Sequence, residues 1–139
     1  MLTEKIKCKA IATEIEVDLR NWISNELLIK NSLEELSNSK VIDNLKYKSK
    51  LQNEYIDDED LTNYLDFGQC LEILKKNKKK FTSDSLIIYQ DLEEILISMK
   101  EVRDRSAHGN LIVDDIDTTY FFIKKINKYK DLFRHIFKE

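Results

Sequence analysis

The chain has 139 residues, of which 42% are hydrophobic and 35% charged, a composition typical of one folded domain and not of a disordered chain. The formal net charge of −3 excludes attraction of nucleic acid by bulk positive charge, so any contact with RNA must be local. No apolar run approaches the ~18 residues that cross a bilayer. We therefore expect a cytoplasmic protein with no membrane segment.

The backbone-breaking residues are almost absent. The chain contains no proline and only two glycines, Gly68 and Gly109, whereas sandwiches and barrels need turn residues at every hairpin. The cysteines, Cys8 and Cys70, show neither metal-ligand spacing nor a disulfide framework, and we interpret them as buried thiols. The sequence predicts an all-α fold, an antiparallel bundle of four to five helices, forming a single domain over residues 1–139.

The first half of the chain contains three predicted helices. A long helix spans Thr3 to Leu28, with Thr3 as its N-cap and apolar residues recurring every three or four positions. A break rich in Ser and Asn follows over Asn31 to Lys40. The second helix is predicted over Val41 to Tyr55 and the third over Leu61 to Asn77, which the lysine-rich run after it closes.

The second half contains the clearest helical pattern. Ser83 or Asp84 is expected to cap a fourth helix, and Gly109 suits the left-handed residue that ends such a helix. The acidic residues Asp114, Asp115 and Asp117 indicate a solvated start for the last helix. Its predicted core face consists of Ile116, Tyr120, Ile123, Ile126, Leu132, Phe133 and Ile136.

Two charged clusters have a structural and a functional interpretation. The run Asp57 to Asp60 is typical of a helix start, and its alternative role as a divalent-cation site lacks a calcium-loop spacing or a histidine. The run Lys75 to Lys80 indicates a solvated face, with phosphate contact as the alternative. Because the two glycines lie far apart, a Gly-rich phosphate loop and autonomous ATP hydrolysis are excluded.

Arg103 and His108 stand out because arginine and histidine are scarce in this chain. Five steps along a regular helix would leave their side chains about 140° apart, so one continuous helix cannot bring them together. They can share a site if the helix ends near Ala107, or if two copies of the chain pair and contribute to one cleft. The structural alternative makes His108 a polar helix-end residue and Arg103 a surface ion-pair partner.

The motif formed by Arg103, Asp104, three further residues and His108, near the end of the penultimate helix, resembles the signature of the HEPN superfamily. The segment Leu65 to Gln69 is similar to one found in HEPN domains of RNA-processing and defence proteins. The resemblance implies a metal-independent endoribonuclease that needs no cofactor and acts as a homodimer. Such a protein is a toxin or antiviral-defence effector, and it works with an antitoxin or a larger defence complex.

The resemblance also implies roles for individual residues. His108 would transfer protons and Arg103 would stabilise charge on the phosphate, which leaves a 2′,3′-cyclic phosphate on the RNA product. Asp104 would orient either residue. Further phosphate contacts are expected from a set of basic residues, Arg105, Lys78, Lys79 and Lys80.

Two features narrow or oppose this hypothesis. HEPN toxins paired with a nucleotidyltransferase commonly carry Tyr two places after the His, but here that residue is Asn110, which disfavours adenylylation. The acidic net charge favours an alternative, a non-catalytic HEPN-like helical module for dimerisation or protein interaction within a larger defence or RNA-processing system.

Overall fold

The computed structural model describes residues 2–49 and 57–137, and within these ranges the regular structure is entirely helical. The prediction of an all-α fold is therefore confirmed. The helices, numbered in chain order, are α1 (Leu2–Glu26), α2 (Leu33–Leu36), α3 (Ser39–Ser49), α4 (Asp58–Thr62), α5 (Phe67–Lys76), α6 (Ser83–Ala107) and α7 (Val113–Ile126). Single 3₁₀ turns follow α5 and α7, at Lys78–Lys80 and Asn127–Tyr129.

The described chain divides into two compact units. The first contains the residues up to Asp18 and those from Ile87 onward, and the second runs from Leu19 to Leu86. In the first, the core includes Ile15, Leu92, Leu96, Met99, Val102, Phe122 and Phe133. In the second, it includes Leu19, Ile23, Leu33, Leu36, Leu65, Phe67 and Leu74. The single-domain assignment for residues 1–139 stays a prediction.

The helix caps differ from two of the sequence predictions. Thr3 lies inside α1, which already begins at Leu2, so its assignment as the N-cap is wrong. The cap of α6 is Thr82, not Ser83 or Asp84, because its hydroxyl accepts a hydrogen bond from the Ser85 amide at 3.3 Å. Asp84 lies in the first turn of α6, where its negative charge interacts favourably with the positive end of the helix dipole.

The predicted third helix is two helices. Asp66 interrupts the expected continuous helix from Leu61 to Asn77 by forming a capping box with Gln69, at 2.7 Å and 3.0 Å. The apolar spacing runs through this point, but the local hydrogen bonds of Asp66 start a new helix at Phe67. The lysine-rich run does close that helix, as predicted, with Lys75 and Lys76 in its last turn.

The second predicted helix is confirmed over the part of it that the structure describes. The predicted break between residues 31 and 40 contains α2, a single turn capped by Ser32, and α3 begins at Ser39 instead of Val41. The predicted positions at Leu51 and Tyr55 lie outside the described residues.

The last helix is shorter than predicted. It ends at Ile126, so Leu132, Phe133 and Ile136 follow it instead of extending its core face. Tyr120 is 54% exposed, and its assignment to the core is wrong. Tyr120 lies about 40° further round the helix than Ile116, past the edge of the buried face, because four residues exceed one turn.

Candidate functional site

The C-terminal end of α6 presents the histidine of the motif. α6 ends at Ala107, and Gly109 adopts the left-handed conformation with φ +71°. The Asn110 amide donates to the Arg105 carbonyl at 2.8 Å and the Gly109 amide to the Ser106 carbonyl at 3.2 Å, the pattern of a Schellman motif. The predicted end of the helix at Gly109 is confirmed. His108 is exposed and lies between the last helical residue and this glycine.

Arg103 is held by a carboxylate of α1 that the sequence reasoning missed. Its Nε donates to Oε2 of Glu16 at 3.1 Å, and the Arg103 side chain is 26% exposed against 9% for Glu16. The signal was present in the sequence, because Glu16 is in register with the apolar positions Ala12, Leu19 and Ile23.

Arg105 forms the most extensive ion pair of the motif region. Its Nε and Nη2 both bind the carboxylate of Asp115, with distances between 2.5 and 3.0 Å. Asp115 is buried, so the predicted solvated helix start holds for Asp114 and Asp117 but is wrong here. Burial raises the pKa of Asp115, but the hydrogen bonds from Arg105 and the Ile112 amide outweigh it, and the pKa lies below its ordinary value.

No side-chain hydrogen bond or ion pair joins Arg103, Asp104 and His108 to one another in the described ranges. Asp104 pairs with Lys100 one turn earlier on the helix, at 2.8 Å, instead of with Arg103 or His108. The helix is regular from Arg103 to Ala107, and His108 follows its last residue. The assembly of both groups in one cleft by two copies of the chain stays a prediction.

The lysines proposed to contact phosphate lie in the second unit. Lys78, Lys79 and Lys80 form the 3₁₀ turn after α5, and Lys79 and Lys80 are exposed. This exposure fits the solvated face that the charge run predicts. Their contact with RNA stays a prediction.

A second histidine, which the sequence reasoning did not single out, contacts a buried carboxylate. Oδ1 of Asp18 lies 2.6 Å from Nδ1 of His135 and accepts a hydrogen bond from the His135 amide at 3.1 Å. The other oxygen, Oδ2, is buried and has no hydrogen-bond partner within the described part of the chain. Burial raises the pKa of Asp18 above its ordinary value in spite of the hydrogen bonds from His135.

The remaining candidates have structural roles. The Cys8 thiol is buried, lies 3.0 Å from the Thr119 hydroxyl, and has its pKa raised by burial, which opposes formation of the nucleophilic thiolate. Asp57 caps α4, and Asp58 accepts a hydrogen bond from the Leu33 amide at 2.9 Å. The helix-start interpretation of this acidic run is therefore confirmed.

Comparison of the chain with protein-family models, with curated proteins and with solved structures finds no match. The resemblance to HEPN domains thus depends on the motif residues themselves. None of the helices in the described ranges combines the length and the apolar character required to cross a membrane.

Proposed function

We propose that the protein is a metal-independent endoribonuclease of the HEPN type that acts as a homodimer. One observation carries the proposal: the end of α6 presents an exposed imidazole, that of His108, one turn beyond an arginine anchored to a buried carboxylate. A proton carrier and a fixed cation are the two groups that cleavage of RNA by its own 2′-hydroxyl requires.

The proposed reaction uses groups of the chain and of the substrate alone. The ribose 2′-oxygen attacks the adjacent phosphorus while His108 accepts its proton, and the resulting imidazolium protonates the departing 5′-oxygen. Arg103 stabilises negative charge on the non-bridging phosphate oxygens. The products are a 2′,3′-cyclic phosphate and a 5′-hydroxyl, and no metal is required because the nucleophile belongs to the substrate.

The biological setting follows from the same resemblance. A nuclease of this type fits a toxin or an antiviral-defence effector in the cytoplasm, held in check by an antitoxin or by a larger defence complex. The cyclising reaction also restricts the substrate to RNA, because DNA lacks the 2′-hydroxyl.

The test is cleavage of RNA in EDTA by the wild type, Arg103→Lys and His108→Ala. Lysine keeps a cation beside Glu16 but loses the planar fork, so both variants are expected to lose about a hundredfold or more in kcat. His135→Gln is the control, a histidine outside the motif, and is expected to keep kcat within about threefold of the wild type. Equal cleavage by all four proteins, or by none, contradicts the proposal, and a product without a cyclic phosphate contradicts the mechanism.

The exposed face of α7 supports a second candidate, a non-catalytic dimerisation module. Val113, Tyr120 and Phe121 are between 54% and 58% exposed and lie on one side of the helix, with Asp117 and Lys124 on the same side. Antiparallel pairing of two α7 helices about an axis between Tyr120 and Phe121 would place each Asp117 opposite the other copy's Lys124, a self-complementary arrangement. The two α7 N-termini would then lie about 20 Å apart, and this pairing is centred on α7 and not on the end of α6 that carries His108.

A further inference from the structure

Glu16 is a buried carboxylate whose place in the fold points to a role at the motif. Its residue is 7% exposed and lies on the apolar face of α1, where a charge is costly unless a cation compensates it. Arg103, 87 residues further along the chain, supplies that cation through its Nε. The pair therefore links the motif arginine to α1, a helix that is distant from it in the sequence.

The two arginines of the motif region use their guanidinium groups differently. Arg105 binds Asp115 through both Nε and Nη2, so one edge of its fork is fully engaged by the protein. Arg103 binds Glu16 through Nε, and no hydrogen bond within the described residues engages its Nη atoms. Because the guanidinium is planar and rigid, a bond at Nε restrains the plane and leaves the Nη donors available to a ligand.

We infer that Glu16 is a positioning residue, which holds the Arg103 guanidinium so that its Nη groups bind the phosphate of RNA. This inference rests on the proposed function. It assigns the phosphate contact to Arg103 and a structural ion pair to Arg105. Glu16 touches neither the RNA nor the reacting atoms and acts only through Arg103.

The experiment measures kcat and KM for RNA cleavage by the full chain with Glu16→Ala, Glu16→Gln, Arg103→Ala and the double variant Glu16→Ala/Arg103→Ala. Glutamine keeps an oxygen that accepts from Nε, so Glu16→Gln is expected to stay within about threefold of the wild type in kcat. Glu16→Ala removes the acceptor and is expected to lower kcat by about 10- to 100-fold, the range seen when supporting residues around a site are removed. In the Arg103→Ala background, removal of Glu16 is expected to change kcat by less than about twofold.

A purely structural role predicts a different pattern. It would lower the melting temperature and reduce kcat only in proportion to the folded fraction, equally with and without Arg103. Asp91→Ala is the control for loss of a carboxylate with several partners, because Asp91 accepts from Tyr129 at 2.6 Å and pairs with Lys128 at 3.0 Å. That variant is expected to keep the wild-type kcat after correction for folded protein.

The outcomes separate this inference from the proposed function. If the wild type cleaves RNA and Glu16→Ala keeps the wild-type kcat, or has the same effect with and without Arg103, the inference is overturned and the nuclease proposal stands. If Glu16→Ala fails to fold, the conservative Glu16→Asp variant decides: it shortens the reach to Arg103 and must lower kcat at an unchanged folded fraction.

If the wild type does not cleave RNA, the proposed function fails. The inference is then judged by the binding of a 2′-O-methyl oligoribonucleotide, measured by fluorescence anisotropy. It survives as a phosphate-holding arrangement if Glu16→Ala weakens this binding fivefold or more, with no such effect in the Arg103→Ala background. Any other binding result overturns it as well.

Discussion

At the scale of single residues, three buried carboxylates contact basic side chains in the C-terminal half of the chain. Each of the three is in register with an apolar helical stripe and is almost fully buried. The pairs are Glu16 with Arg103, Asp18 with His135 and Asp115 with Arg105. Since removing one partner of a buried pair leaves an uncompensated charge, loss of Glu16 or Asp115 is expected to be costly.

Asp115→Asn tests the pair with Arg105 through the pH dependence of stability. The pKa of Asp115 is lowered in the folded state, so its contribution is present above the ordinary carboxyl pKa and is lost as the pH falls through the folded value. At pH 7 the variant is expected to lose about 3 kcal/mol of unfolding free energy, measured by urea denaturation. The difference should shrink towards pH 2. Asp114→Asn, on the exposed face, is the control, and a loss independent of pH would contradict the assignment.

Asp18→Asn is expected to show the opposite pH dependence. Because the pKa of Asp18 is raised in the folded state, folding favours its protonated form, and this contribution is lost as the pH rises through the folded value. Asparagine does not ionise and can still accept from the His135 amide. The variant should therefore gain stability relative to the wild type between about pH 4 and the folded pKa, the window that begins at the ordinary carboxyl value. A stability difference that falls with pH in urea titrations would refute this.

At the scale of helices, the end of α6 depends on one backbone conformation. Gly109 has φ +71°, and a Cβ built there meets no atom within 4 Å, so an alanine would be strained by its backbone alone. Gly109→Ala is expected to lower the unfolding free energy by about 1–2 kcal/mol. Gly109→Asn should lose less, because asparagine adopts the left-handed region more readily. Equal stability of the glycine and alanine proteins in thermal melts would be inconsistent with this cap.

The bounds of a helix could be predicted where a capping or helix-ending residue coincides with the end of the apolar periodicity. The apolar stripe of α6 and Gly109 together give its extent almost to the residue. The signal failed at Asp66, where apolar spacing continues through a new helix start that only the side-chain hydrogen bonds with Gln69 specify. It failed again at Tyr120, because four-residue spacing drifts away from the buried face.

The candidate site was predictable only in part, for a related reason. Arg103 and His108 could be identified because arginine and histidine are rare in this chain, and composition alone shows this without knowledge of the fold. Their surroundings depend on residues far along the chain, since Glu16 lies 87 positions before Arg103 and Asp18 lies 117 before His135. Tertiary packing determines these pairings. A search for apolar periodicity also misses such a carboxylate, because it reads an acidic residue at a core position as an interruption of the apolar pattern.

At the scale of the whole molecule, the distribution of charge has consequences for RNA binding. The formal net charge of −3 gives no general attraction for RNA, so affinity must come from local groups. Both arginines of the motif region are engaged by carboxylates, and the exposed lysines at positions 79 and 80 belong to the second unit. A substrate bound by few phosphate contacts would show a shallow salt dependence.

The two proposed dimers predict different responses to a charge on α7. If α7 helices pair about Tyr120 and Phe121, Phe121→Glu places two like charges close to the axis and should convert the dimer to monomer in light scattering. If the copies pair through the ends of α6, the mass should stay that of a dimer. Phe121→Leu, which keeps an apolar side chain, is the control in both cases.

Mixing two inactive variants decides whether the catalytic groups of different copies meet. Arg103→Lys and His108→Ala each lack one group, but a mixed dimer still contains one intact Arg103 and one intact His108. If both copies contribute to one cleft, refolding the variants together should restore RNA cleavage well above that of either alone, because subunit exchange reunites the guanidinium and the imidazole. If each chain acts alone, or if pairing through α7 keeps the catalytic groups of the two copies apart, mixing restores nothing.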